Sequence, residues 1–238
     1  MQLTILSYIF IKMSNESIPS TAFIFSLHYL PTIEYFQCIS LSQPLILDIH
    51  EHYEKKSYRN RCRILSAQKV LDLSIPVIHS GQKQGMKEVK IDHHQRWARA
   101  HWHALASAYG KAPFFLYFEP ELKKIYEQSY TYLIDFNLAL LSFCLNILQW
   151  HPDIKFSEKY IEEPNPEKDL RKLIHPKVES GFDRLFGTPS YIQVFGKGFV
   201  RNLSIIDIIF CEGPNASLKI KETIAQARVT SNAKNVLS

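Results

Sequence analysis

Between Phe23 and Arg63 the sequence passes twice from a short apolar run into a polar turn, and this alternation constrains the fold more than any other stretch. Phe23–Leu27 reads as a buried strand, His28 and Pro31 sit in a turn, and Thr32–Ser40 has the pattern of a short helix. Pro44–Ile49 is a second strand, and a polar, aromatic loop then closes on Tyr58-Arg59-Asn60-Arg61. Open α/β sheets bind ligands at strand ends and in the loops beyond them, where polar groups escape the packed layers. Two such ends lie in this segment, so the sequence names the neighbourhood of a site before it names a reaction.

The rest of the chain continues the alternation. Arg61–Ser66 and Lys69–Val77 read as two strands about the turn Ala67-Gln68, an antiparallel insertion. His79–Met86 is a loop with glycines and lysine but without phosphate-loop spacing, and Val89–Ile91 is a short strand or bridge. From Asp92, a candidate cap, Trp97, His101, Ala104, Leu105 and Ala108 repeat at helical spacing until Gly110 and Pro113 stop them. Helices follow from Glu119-Pro120 through Tyr126 and over Tyr130–Trp150, the latter apolar on most of its circumference and therefore central. Asp153–Tyr160 and Tyr191–Phe195 read as strands, and Pro164–Lys177 reads as an excursion between them. Leu203–Phe210 is an apolar helix capped by Asn202 or Ser204 and stopped by Gly213-Pro214, and Leu218–Ala227 is the last helix. The expected fold is α/β, a mixed and mostly parallel sheet flanked by helices with an antiparallel insertion. Its expected limits are a loose extension over 1–21, one α/β domain over 22–228 and a polar tail over 229–238.

Composition narrows the class. At 238 residues, with 46% hydrophobic and 21% charged positions, the chain has the balance of a globular protein. The formal charge of +5 is spread along the sequence without a basic block, which argues against a nucleic-acid partner and suits a small acidic substrate. The four cysteines lack CxxC spacing, which points to reduced thiols and a cytoplasmic location. Met1–Ile11 is apolar, but it lacks a basic leader and is too short to span a bilayer. Tyr132–Trp150 carries Asp135 and Asn137 and fits a core helix, so no integral membrane segment is expected.

Several side chains could carry chemistry. Arg59, Asn60, Arg61 and Arg63 are the strongest group, because guanidiniums near an amide suit bidentate recognition of phosphate or carboxylate. Strand alternation would put Arg61 and Arg63 on one face, and a solvated edge with surface ion pairs is the alternative. His28, between a strand end and a helix start, could meet a phosphate or a polarised carbonyl, or serve the loop backbone. His93, His94, His101 and His103 lack metal-ligand spacing, so no metal site is expected, and His101 with Trp97 on a pocket-facing side is the better reading. Asp207, inside an apolar helix, needs a partner, either an arginine or a pocket. Asn202 is a cap first and a ligand contact second. No motif names a cofactor.

Further resemblance lies in runs of residues. Tyr29-Leu30-Pro31 with Tyr35-Phe36, Tyr58-Arg59-Asn60-Arg61-Cys62-Arg63-Ile64 and Leu73-Ser74-Ile75-Pro76-Val77 resemble the WbqC-like family, especially its Bacteroidetes-type branch. So do His101-Trp102, Ser107-Ala108-Tyr109, Pro113-Phe114-Phe115, Gln193-Val194-Phe195-Gly196 and Asn202 to Asp207, all in the family's order. Where many members carry His-Gln-Pro, this chain has Phe25, Ser26 and Leu27, with His28 next. The resemblance implies a cytoplasmic bacterial protein of surface-polysaccharide (O-antigen) synthesis that acts on an amino sugar or nucleotide sugar. The reading that follows is a transferase of acyl or aminoacyl groups. His28 and His101 are its candidate acid/base residues. Tyr29, Tyr58, Arg59, Asn60, Arg61, Arg63, Trp97 and Asn202 are its candidate substrate contacts. Its partner would be a small molecule bearing phosphate or carboxylate, with homo-oligomerisation left open. The rival reading is a non-catalytic sugar-nucleotide binding or scaffolding module.

Overall fold

The computed structural model of the protein describes residues 21–78, 83–162, 164–166, 168–179, 181–196 and 198–236. The expected N-terminal extension lies outside the described residues except for Thr21, as does the start of the His79–Met86 loop.

Apolar residues dominate the first strand, β1 (Thr21–Phe25), whose Phe23 and Phe25 are buried. The chain turns at Pro31 into α1 (Ile33–Ile39), a helix buried along its whole length, and returns as β2 (Ser42–Leu47). Far along the sequence β5 (Ile154–Phe156) joins them, giving a three-stranded parallel sheet in the order β1-β2-β5. The register sets Phe25 opposite Leu47 and Leu47 opposite Phe156, so all three strands end at one edge.

The antiparallel component is a sheet of its own. β3 (Arg61–Leu65) pairs with β4 (Val70–Ser74), Arg61 opposite Ser74 and Leu65 opposite Val70. Alternation turns Cys62 and Ile64 into the core and leaves Arg61 and Arg63 half-buried on the other face.

The helices are α2 (Trp97–Tyr109), α3 (Phe115–Glu127), α4 (Leu133–Leu148), α5 (Phe182–Phe186), α6 (Ile205–Glu212) and α7 (Asn215–Val236). As its apolar circumference requires, α4 is central and packs against α3, α6 and α7. Four local expectations change. Asp92 caps a turn at His94 N and not α2, which begins at Trp97. The helix expected from Glu119 starts at Phe115 and holds Pro120 inside it, where the carbonyl left without a donor belongs to exposed Leu116. Tyr191–Phe195 is not a strand: it joins neither sheet, and Tyr191 and Gln193 bond to Asp207 of α6 through their side chains. The last helix runs on to Val236, through the segment expected as a polar tail.

One glycine is dictated by packing. Gly213 ends α6 at φ 57° and ψ −136°, and a Cβ there would lie 2.5 Å from the Phe114 ring. Gly213→Ala should therefore lower stability by about 2–4 kcal/mol through clash and backbone strain together. Urea unfolding checks this, and combining it with Phe114→Ala should shrink the increment, because only the strain remains.

Candidate functional site

At the edge where β1, β2 and β5 end, the loop after β2 and the segment after β5 stand apart and enclose a cleft of about 770 Å³. Glu51, Tyr53 and Arg59 line one side, and Tyr160, Asp169 and Arg171 line the other. The volume falls within the range of sites that take small ligands.

Two buried guanidiniums hold these walls. Arg59 donates through Nη2 and Nε to the two oxygens of Glu51, at 2.5 and 2.9 Å. Ser26, the first residue beyond β1, completes the group: its Oγ accepts from Arg59 Nη2 at 2.8 Å and donates to Glu51 at 2.9 Å. Burial pushes the Glu51 carboxyl up from its ordinary range, and Arg59 and Ser26 pull it back. On the opposite wall Arg171 takes the Asp169 carboxylate bidentately at 2.9 and 3.0 Å and pairs through Nη1 with Asp48, which follows β2 directly. Asp48 is in turn bonded by the Ser157 hydroxyl just past β5, so the pair ties together the strand ends.

The segment carrying Arg59 is stitched from three directions. Tyr29 N donates to Tyr58 O at 2.9 Å, Asn137 of α4 donates to Arg59 O at 2.8 Å, and Asn60 Nδ2 donates to Ile75 O at 2.8 Å. The arginine-bearing segment therefore folds back over the tip of β1, as the alternation of the sequence implies.

His28 lies in this neighbourhood, fully buried, with its ring against Tyr35 and Tyr58 at centroid distances of 4.9 and 5.7 Å. Neither ring nitrogen has a hydrogen-bond partner. Burial, then the charges of Arg59 and His175, push its pKa well below the ordinary histidine value, so the imidazole is neutral. Glu54 spans the outer side, 3.6 Å from Arg59 and 3.5 Å from His175.

The other candidates divide. Tyr58 and Arg59 join His28, and Arg61 lies near Tyr53 on the cleft wall, whose hydroxyl burial pushes up to about 12 against the pull of Arg61 and Arg59. Arg61 Nε is buried without a hydrogen-bond partner. His101, Tyr29 and Trp97 are elsewhere, in a buried aromatic cluster with Tyr126 and Phe136: His101 Nδ1 and the Tyr29 hydroxyl share a 2.9 Å bond, and Trp97 meets His101 edge-on. Asn60 supports the hairpin backbone. Arg63 pairs with Asp72 on the surface at 3.3 Å. Asn202, at φ 53°, donates to Glu34 of α1, while Ser204 caps α6. Asp207 takes no arginine; it accepts from Tyr109, Tyr191 and Gln193 at 3.0, 2.7 and 3.0 Å. All four cysteines are buried, and burial pushes the Cys62 thiol up despite its arginine neighbours.

Sequence reasoning missed Asp48, Glu51, His52, Tyr160 and Arg171. A signal existed for Asp48, a carboxylate directly after an apolar strand, but Arg171 lies in an aperiodic charged run. Among the described residues no group of three or more His, Cys, Asp or Glu is placed to hold a metal ion, and no helix is long and apolar enough to cross a membrane.

The description of the WbqC-like protein family matches residues 27–181, from the turn after β1 through the far wall of the cleft. The chain belongs to the WbqC-like protein family. It is also 29% identical over 215 residues to the uncharacterized protein Rv1507c of Mycobacterium tuberculosis strain H37Rv, an alignment spanning 79% of this WbqC-like chain and 92% of the relative. No solved structure matches the chain.

Two outcomes follow from the charges. Glu51→Gln leaves Arg59 buried beside a neutral partner and should cost about 3–5 kcal/mol, whereas Arg63→Ala, at an exposed pair, should cost under about 1 kcal/mol by urea unfolding. The second concerns acid. Burial lowers the pKa of His101 to about 4, below its unfolded value, and His28 shifts the same way. The stability tied to neutral His101 is complete above about pH 6.5 and lost as pH falls toward 4, about 3 kcal/mol in all. His101→Gln should flatten that decline in unfolding curves taken between pH 7.5 and 4.5; an unchanged decline would contradict it.

Proposed function

We propose that this WbqC-like protein is a transferase of bacterial surface-polysaccharide (O-antigen) synthesis, moving an acyl or aminoacyl group onto the amine of an amino-sugar or nucleotide-sugar substrate. The observation that carries the reading is the neutral His28 imidazole, both nitrogens unpartnered, set behind Arg59 at the C-terminal edge of the parallel sheet. A neutral imidazole can accept a proton, and the burial beside a guanidinium that keeps it neutral near pH 7 also weakens it as a base, so the proton has to pass straight on to the leaving group. In the reaction the amine nitrogen attacks the acyl carbonyl, its proton passes to His28, and the leaving group departs with the bonding pair and recovers that proton. His28 does not line the cleft, so Arg59 has to exchange its bonds to Ser26 and Glu51 for the incoming anion. Arg61 is the second anion-holding candidate, having no carboxylate partner among the described residues. His101, Tyr29 and Trp97 drop out of the chemical step in this reading and serve the core.

A non-catalytic sugar-nucleotide binding or scaffolding module is the second reading. It draws on the same burial, because the arginines that line the cleft are already paired with carboxylates.

The test is turnover of nucleotide-linked amino sugars with activated acyl and aminoacyl donors, read as new amide by mass spectrometry. His28→Ala should lower kcat by about 10²–10⁴-fold with a much smaller change in KM. Ligand binding without product under any donor supports the module, and His28→Ala with full kcat overturns the role of His28.

A further inference from the structure

Resting on the reading of the sheet-edge cleft as a ligand site, we propose that it takes a nucleoside diphosphate, the base against His52 and Tyr160 and the diphosphate among Lys55, Lys83 and Lys172. The first observation is a ladder of planar groups on the cleft wall. The Arg171 guanidinium lies over the Tyr160 ring, 5.6 Å from its centroid, and the Tyr160 ring meets the His52 ring at 5.1 Å with a 42° tilt. The inner end of the ladder is fixed, since buried Arg171 is held by Asp48, Asp169 and the carbonyl of Ile161. The outer end, His52 and Tyr160, is exposed. A planar π-system adds to such a stack with little loss of rotamer freedom, because the platform is already ordered, and every nucleobase has a face to offer.

The second observation is the charge left over. Arg59 is neutralised by Glu51 and Arg171 by Asp169 and Asp48. Among the described residues the ammonium groups of Lys55, Lys83 and Lys172, all exposed on the cleft lining, have no ion-pair partner. Among the described residues Glu162 is the lining carboxylate left without a cation, and Glu54 lies 3.6 Å from Arg59 and 3.5 Å from the His175 ring, whose pKa burial lowers. Counting Asp48, the cations and carboxylates of the site balance, but the inner arginines are fixed in pairs and the three lysines are flexible point charges at the surface, which suit a polyphosphate better than a single carboxylate that calls for a fork of donors. Stacking surface and lysines share one cleft of about 770 Å³, large enough for both parts of one ligand.

The experiment is calorimetric titration of the full chain with UDP, GDP, ADP and dTDP, with sodium pyrophosphate and the matching nucleosides as fragments. At least one nucleoside diphosphate should bind more tightly than either of its fragments. Tyr160→Ala should weaken that nucleotide about 5- to 100-fold, the usual reach of one base–aromatic stack, with pyrophosphate unaffected and Tyr160→Phe restoring most of the loss. The double variant Lys55→Ala, Lys172→Ala should weaken nucleotide and pyrophosphate alike and flatten the salt dependence of both. If no nucleotide outbinds pyrophosphate, or if Tyr160→Ala weakens both equally, the proposal is overturned. Should a sugar phosphate then bind in a manner sensitive to the lysine variant, the cleft survives as the ligand site without a nucleotide. Nucleotide binding indifferent to all of these substitutions would overturn the proposal and the cleft together.

Discussion

A guanidinium taken out of water must find a carboxylate, and two of them do so at the C-terminal edge of the parallel sheet. Arg59 with Glu51 and Arg171 with Asp48 and Asp169 are buried pairs, each using a residue of the polar loop that leaves β2. Desolvating such charges costs several kcal/mol per ion, and only close, multiply bonded geometry offsets that. Both pairs meet the condition: Ser26 closes the first and the Ile161 carbonyl the second. The first joins the end of β1 and the loop after β2 to the returning hairpin segment, and the second joins the end of β2 to the segment after β5. The pairs thus turn a sheet edge into a cleft with fixed walls.

This constraint explains which candidates gather and which do not. Backbone bonds bring Tyr58 and Arg59 to the tip of β1, beside His28, because the peptide of Tyr58 accepts from Tyr29 and that of Arg59 accepts from Asn137. The same bond at Tyr29 points its side chain the other way, into the aromatic cluster with His101 and Trp97. Adjacent residues of one turn therefore serve different layers, one the sheet edge and the other the helical core.

Much of this was legible in the residues. Apolar runs ending in polar turns marked β1, α1, β2 and the hairpin, and alternation correctly separated Arg61 and Arg63 from Cys62 and Ile64. The helical spacing of Trp97 and His101 correctly put them on one face. It could not say that this face meets Tyr29 and Phe136, since an aromatic stripe looks alike toward core or pocket. The partners of the arginines were hidden for a different reason. Glu51, Glu54 and Asp48 share one aperiodic loop, and Arg171 lies 123 residues from Asp48, beyond any local pattern. Asp207 illustrates the same limit: burial demands a partner, an arginine or a pocket by the sequence, and the Tyr109 and Tyr191 hydroxyls with the Gln193 amide supply it.

We expect ligands to enter between the loop after β2 and the segment after β5. A crystal structure of the protein soaked or grown with a nucleotide-linked amino sugar addresses it most directly. Ligand density between Arg59 and Arg171, in contact with both walls, is the predicted result. Density confined to another hollow, such as the aromatic one lined by His93, Trp97 and Tyr130, with the sheet-edge cleft bare, would overturn that entry path.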